Sequence, residues 1–290
     1  MQPELVLDAQ AELGEGPAWD EAEGLLYWVD IHAGRLHCFD PHNASDRCME
    51  VGEPLGCVAP CQPQEVILGV RSGFARLDLG RGSLTHLANP EPCLTGNRFN
   101  DGKCDPAGRF LAGSMDAAEA AASGSLYSLA PDGTWKTLLT GLRIPNGLAW
   151  SPDYRTFYHV DTPTRQVLAY DYDLERGEIA RPRAVLSIPS DLGFPDGMTS
   201  DVDGMLWIAL WRGAQVSRWD PGSGRMLEGI PLPALQPTSC VFGGPGRNEL
   251  YVTSARLRMD AEQLKRYPWS GGLFRVQTSV QGLPTFRFGL

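Results

Sequence analysis

Positive charge is in short supply: 25 Lys and Arg stand against 35 Asp and Glu, a formal charge of −10. A surface that grips phosphates needs the opposite balance, which argues against a nucleic-acid partner. No run of about 18 apolar residues occurs, so no membrane-spanning helix and no membrane partner is expected. The opening Met-Gln-Pro-Glu has neither the basic nor the apolar stretch of a signal segment. A soluble, cytoplasmic, reduced chain is therefore expected. Its seven Cys, an odd number, fit buried small thiols better than a disulfide framework. Cys57-x-x-x-Cys61 has no second Cys or His pair nearby, which argues against structural zinc. Also missing are Gly-x-Ser-x-Gly, His-Glu-x-x-His, Gly-x-Gly-x-x-Gly and a phosphate loop, so serine-elbow, zincin, dinucleotide and nucleotide-triphosphate chemistries lose their usual signatures. Four of the five His (His32, His37, His42, His86) sit in strand or turn contexts, and His159 occupies a packing position.

What the chain does have is turns and apolar strands: 33 Gly, 23 Pro, eight Trp and 42% apolar residues fit a turn-dense all-β protein rather than disorder. It also repeats itself. Residues 15–30 (EGPAWDEAEGLLYWVD) overlay residues 146–161 (NGLAWSPDYRTFYHVD) without a gap, placing Glu15 on Asn146, Trp19 on Trp150 and Asp30 on Asp161. Residues 100–114 and 196–210 follow the same plan, with Asn100 on Asp196. Weaker copies lie near Cys57 and at Thr238-Ser239, completing six.

Starts spaced roughly 40–50 residues apart fall in the range of solenoids and propellers. Each copy runs from an apolar strand through a polar turn, such as Ser151-Pro152-Asp153, into further strands such as Leu206–Leu210. About four strands in each of six copies reads as an all-β, six-bladed β-propeller. Because each unit buries its face on the next, residues 1–290 are expected to form a single domain. The β-prone Glu4–Asp8 has no partner nearby and is expected to supply the outer strand of the last blade, beside 273–276 and 286–288. An Ala-rich insertion, 116–124, is a candidate lid, and 256–267 looks like a helical excursion.

In a propeller the first strand of every blade lines the central channel, so Glu15, Asn100, Asn146 and Asp196 are expected to meet at one end of it. Any one of them is an ordinary strand or turn opener, Asn-Gly and Asp-Gly especially. Oxygen-bearing side chains at four equivalent positions, Glu15 being a poor turn former, point instead to a shared ligand. Two carboxylates and two amides suit one divalent metal ion: calcium, magnesium or manganese most naturally, zinc or ferrous iron also with oxygen donors. Asp101 lies beside this ring, suited to orient a metal-bound water. Arg98, two residues before Asn100, points the same way on an alternating strand and suits a hydroxylated substrate.

The stretches LGEGPAW (13–19), NRFNDGKCDPAGRFLAGSM (97–115), IPNGLAWSPD (144–153), FPDGM (194–198) and CVFGGP (240–245) resemble the gluconolactonase, regucalcin and senescence-marker-protein family over essentially the whole chain. That resemblance implies a six-bladed propeller hydrolysing sugar lactones with one divalent metal at the channel mouth. It implies Glu15, Asn146 and Asp196 as metal ligands, Asn100 reaching metal or substrate, Asp101 in the pocket and Arg98 as a substrate-binding arginine. The substrate-binding glutamate of animal members falls on Ala118, with Glu119 adjacent and Asp116 two before it. This departure, with Tyr267-Pro268-x-x-Gly271-Gly272, leans toward bacterial sugar lactonases acting on pentose or hexose lactones. Asp196 and Asp101 are the expected catalytic carboxylates; Arg98, Asn100, Asp116 and Glu119 are expected to bind substrate. The partner is then a small sugar lactone, and the protein a monomer or weak homo-oligomer. A promiscuous esterase or organophosphate hydrolase on the same metal, or a non-catalytic metal-binding scaffold, are the competing functions.

Overall fold

The computed structural model describes residues 1–289. Six four-stranded antiparallel sheets form, each in simple sequential order: β2 to β5 (14–50), β6 to β9 (55–88), β10 to β13 (97–142), β14 to β17 (145–187) and β18 to β21 (194–231). The sixth sheet combines β22 to β24 (236–277) with the N-terminal strand β1 (Pro3–Leu7), which pairs antiparallel with β24 (Leu273–Gln277). This is the six-bladed β-propeller expected from the repeat. The innermost strands are β2 (Gly14–Asp20), β6 (Leu55–Pro60), β10 (Asn97–Cys104), β14 (Pro145–Trp150), β18 (Phe194–Ser200) and β22 (Gln236–Gly243), each packed on the next so that β22 returns to β2. They are buried almost throughout, whereas the outer strands Ser45–Glu50, Ser83–Ala88 and Glu178–Ser187 are largely exposed. The apolar core lies between neighbouring sheets, with Trp28, Phe74, Phe110, Phe157, Trp207 and Phe242 fully buried. Among the described residues no helix is long and apolar enough to cross a membrane.

Every innermost strand slips register once, at or beside Glu15, Gly56, Asn100, Asn146, Asp196 and Thr238. A bulge re-aims the side chain at the slip, so one position per blade is turned out of the sheet ladder toward the channel. Two blades contribute no site oxygen. Thr238 donates its hydroxyl to the Gly14 carbonyl at 2.5 Å, tying the last blade to the first. At Gly56 a Cβ would lie 2.3 Å from Phe99 O and 2.7 Å from Asn100 O, so the neighbouring blade leaves no room for a side chain. Gly56→Ala is accordingly expected to cost about 1–3 kcal/mol through overpacking, read as a lower denaturant midpoint. An unshifted midpoint would contradict this close approach.

The C-terminal segment departs from expectation. Residues 286–288 do not lie beside β1; the tail runs under the ring at the ends of the innermost strands. Leu283 N–H donates to Ser200 O, Phe288 N–H to Pro60 O and Gly289 N–H to Gly108 O, while Phe286 packs edge-on against Tyr154 and Arg287 pairs with Asp20 at 2.9 Å. These contacts touch all of the first five blades and close the channel end opposite the site. The helical excursion is short, α1 (Ala261–Arg266), opened by an Asp260 capping box with Gln263.

Candidate functional site

The repeated Asp positions set the entry to two site strands. Asp30 accepts the backbone N–H groups of Glu12 and Leu13 at 2.9 and 3.1 Å, and Asp161 those of Arg143 and Ile144 at 3.2 and 2.8 Å. Each carboxylate thus fixes the backbone just ahead of a ring residue, Glu15 or Asn146. Beyond this point Glu15, Asn100, Asn146 and Asp196, from four different blades, line one cavity of about 110 Å³.

A short hydrogen-bond chain orders the amides. Arg98 donates to Asn100 Oδ1 at 2.8 Å, Asn100 Nδ2 donates to Asn146 Oδ1 and to Pro145 O, both at 2.9 Å, and Asn146 Nδ2 donates to Thr162 Oγ1 at 2.9 Å. Thr162 in turn donates to Pro195 O at 2.8 Å, beside Asp196. Both amide nitrogens are therefore occupied, and each amide oxygen keeps an unused lone pair. Two of the carboxylates are held by the bulges themselves: Glu15 accepts Gly16 N–H at 3.0 Å and Asp101 accepts Gly102 N–H at 2.8 Å.

This cluster is electrostatically incomplete. Burial, then the charge of Asp101, pushes the Glu15 carboxyl up to about 8. Burial, then Glu15 and Asp101, raises Asp196 well above the usual carboxylate range, and burial raises Asp101 as well. Burial pulls Arg98 down, with Glu15 and Glu119 resisting, and pulls Lys103 down against the pull of Asp101. Three buried carboxylates thus share two buried cations. Among the described residues Asp196 Oδ1 has no hydrogen-bond partner, the kind of orphan a native interior normally avoids. The residues fit a hard divalent cation: oxygen donors only, excess negative charge and an unpartnered carboxylate oxygen. Among the described residues no three His, Cys, Asp or Glu side chains gather as a metal cluster, so a donor set at this cavity would have to include an amide oxygen such as that of Asn146.

The other expected site residues divide. Arg98 lines the cavity, and its buried Nε is unpartnered. Glu119 also lines the cavity, but its carboxylate is paired with Arg258. Asp101 does not line it: the side chain sits in the channel beside Gly102 N–H and Lys103, whose Nζ reaches across to Met198 O at 2.8 Å. Asp116 is outside too. Its carboxylate accepts the N–H groups of Ala118, Ala120 and Ala121 at 3.0–3.1 Å, so it shapes the 116–124 loop instead of facing a ligand. His159 is buried, and burial lowers it to about 4, so it is neutral and idle near pH 7. All seven Cys are free thiols.

Sequence reasoning missed the cavity walls, Leu13, Met115, Ile144, Trp211 and Leu257, because apolar residues at strand ends carry no motif. Thr162 was missed also, although Asp161-Thr-Pro-Thr marks a turn at the end of the second strand of its blade. Arg258 gave no signal: it comes from the connection after β23 (Glu249–Ala255), outside the stretches that repeat.

Residues 13–256 match a family model described as the SMP-30/Gluconolactonase/LRE-like region. The chain is 38% identical to regucalcin of Oryctolagus cuniculus over 98% of its own length and 97% of the relative's. It is 36% identical to the "Putative sugar lactone lactonase YvrE" of Bacillus subtilis (strain 168), over 97% of each chain. Among solved structures, a calcium-binding regucalcin from Agrobacterium tumefaciens superposes with a TM-score of 0.94 at 28% identity, covering 99% of this chain and 97% of that one.

Proposed function

Since the chain belongs to the SMP-30/gluconolactonase/LRE-like family, we propose that it is a metal-dependent sugar lactonase. It would hydrolyse an aldono-1,4- or 1,5-lactone of a pentose or hexose to the aldonic acid in the cavity ringed by Glu15, Asn100, Asn146 and Asp196. The observation that carries this reading is the unpartnered, buried Asp196 Oδ1 inside a cluster whose carboxylates outnumber its cations. Glu15, Asn146 and Asp196 would hold one divalent ion. When bound, such an ion polarises the lactone carbonyl, stabilises charge developing on its oxygen and acidifies water.

The remaining steps fall to side chains. Asn100, fixed between Arg98 and Asn146, holds the Asn146 amide in one orientation beside the cavity both residues line. Arg98, which lines the cavity, is suited to grip a ring hydroxyl and hold C1 over the donor set. Asp196, which lines the cavity, is the better proton acceptor for water attacking C1; Asp101, outside the cavity, acts on Glu15 and Asp196 through its charge. Ring opening then releases the aldonate, whose ring oxygen takes up the proton.

The five apolar wall residues favour a second reading, a broader esterase on the same donor set. One experiment separates these. Chelator-stripped protein is assayed by acid release on xylono-, arabinono-, galactono- and gluconolactone, with Ca, Mg, Mn, Zn and Fe(II) returned singly, beside an aryl ester and a phosphotriester. Restored turnover strongest on one lactone supports the proposal. Aryl ester or phosphotriester turnover exceeding every lactone would replace it with the broader hydrolase. No hydrolysis with any ion would leave a binding scaffold.

A further inference from the structure

Three side chains of the first blade gather outside the cavity: Cys48, His37 and Asp46, none of which lines it. One hairpin builds the group. β4 (Arg35–Asp40) pairs antiparallel with the outermost strand β5 (Ser45–Glu50), setting His37 directly opposite Cys48 and Phe39 opposite Asp46. Alternation then puts Asp46 and Cys48, two residues apart, on the face of the sheet that His37 shares.

His37 is buried, and its ring stacks on that of the fully buried Trp28, centroids 3.9 Å apart and planes 17° apart. The stack fixes the plane of the imidazole and leaves both nitrogens at its edge. Nδ1 lies 2.7 Å from Asp46 Oδ2, and Nε2 lies 3.8 Å from Cys48 Sγ. A carboxylate can only accept, so Nδ1 carries the proton and Nε2 presents its lone pair to the thiol. Among the described residues Asp46 has no other ion-pair partner, and its buried Oδ1 has no hydrogen-bond partner. Its charge is therefore available to an imidazolium formed at His37.

Cys48 is exposed, as is Cys93; Cys38 is half-buried and the other four thiols are buried. Burial, then the charge of Asp46, pushes the Cys48 thiol up, so a base has to take its proton during any reaction near pH 7. The charged groups facing it are Asp46 and Glu50 on its own strand, Arg35 on β4 and Asp30 at the end of β3 (Leu25–Asp30). That balance is negative and disfavours an anionic reactant.

We propose that Cys48, His37 and Asp46 form a thiol-addition site for uncharged conjugated carbonyl compounds. The Cys48 sulfur bonds to the β-carbon while its proton passes to His37 Nε2; the imidazolium, stabilised by Asp46, then returns that proton to the α-carbon of the enolate. The π pair of the carbon–carbon double bond becomes the new C–H bond, with no oxidant, reductant or leaving group. Addition, unlike displacement, needs the proton back, and an imidazole held beside the sulfur supplies it. This inference is independent of the lactonase reading.

The test follows N-ethylmaleimide addition to the full chain at pH 7 by peptide mass spectrometry, for wild type, His37→Phe and Asp46→Asn, with Cys93 of the same molecule as internal reference. His37→Phe keeps an aromatic ring on Trp28 and Asp46→Asn keeps the side chain's shape. Thermal melts verify folding, and either variant decides the matter if the other unfolds. The Cys48-to-Cys93 rate ratio is expected to fall roughly tenfold in His37→Phe and roughly threefold in Asp46→Asn. With iodoacetamide from pH 6 to pH 10, the deficit in His37→Phe is expected to shrink as hydroxide ionises the thiol without help from the imidazole. A ratio unchanged in the folded variants, or a deficit as large at pH 10 as at pH 7, overturns the proposal and leaves His37 a packing residue of the hairpin. At low salt, wild-type Cys48 is expected to take N-ethylmaleimide about threefold faster than the anionic 6-maleimidohexanoate; equal rates would overturn the preference for uncharged compounds.

Discussion

Asp196→Asn is expected to abolish dication-dependent lactone hydrolysis while the propeller stays folded. Changes in residues that merely support metal ligands cost roughly 10- to 100-fold, so losing a direct donor that also accepts the proton is expected to cost on the order of 10³-fold or more in kcat/KM. The substitution preserves shape, hence no cavity forms. It also removes one of three mutually repelling buried carboxylates, Asp196 being raised by burial and by Glu15 and Asp101. Metal-free Asp196→Asn protein should therefore melt higher than metal-free wild type, by about 2–4 °C for each kcal/mol of relieved repulsion. Wild type should in turn gain about 2.7 kcal/mol from a dication at one hundred times its Kd, and the variant should gain almost nothing. Activity within tenfold of wild type, or an unchanged metal-induced shift in melting, would remove Asp196 from the donor set.

Stability of the metal-free protein should fall as pH rises from about 5 to about 8. An acid whose native pKa exceeds its unfolded value keeps its proton in the native state after the unfolded chain has released it. The native state then binds more protons, and each increment of pH favours unfolding. For Glu15 this window runs from the ordinary value of 4.5 up to about 8, because burial and the nearby Asp101 disfavour its charge. Asp101 and Asp196 move in the same direction for the same reason. At about 1.4 kcal/mol for each pH unit separating the native from the unfolded value, the loss from Glu15 amounts to a few kcal/mol, complete once pH passes about 8. A dication competes with those protons, so its affinity should rise over the same interval and flatten the slope. Urea midpoints at pH 5, 6, 7 and 8, with chelator and with added dication, measure both effects. Metal-free stability that climbs from pH 5 to pH 8 would show that the buried carboxylates are not protonated as described.

Much of the site was legible because a propeller converts repetition into proximity. Overlaying 15–30 on 146–161 and 100–114 on 196–210 is enough to nominate Glu15, Asn100, Asn146 and Asp196, which the ring brings to one cavity. The same overlay could not say which neighbours of those positions also face inward. Asp101 follows Asn100 on a bulged strand, where alternation fails, and its carboxylate ends beside Lys103 outside the cavity. Asp116 looked like a ligand for its charge and place, yet its oxygens are taken by backbone N–H groups of its own loop. The tail illustrates a different limit. Residues 286–288 read as strand-forming, but the open channel end offers Pro60, Asp20 and Tyr154 as partners, and these outcompete the sheet edge beside β1.

From the sequence by itself follow the all-β class, the six-fold repeat and the oxygen donors at four of its equivalent positions, since strand periodicity and turn chemistry are local properties carried by each copy alone. Tertiary structure decided what lies between the copies. It left Gly56 no room for a side chain, turned Thr238 to tie the last blade to the first, and placed Glu119 against Arg258 across the ring. Those outcomes depend on distances between residues up to 224 positions apart, and such distances exist only once the blades have closed on one another.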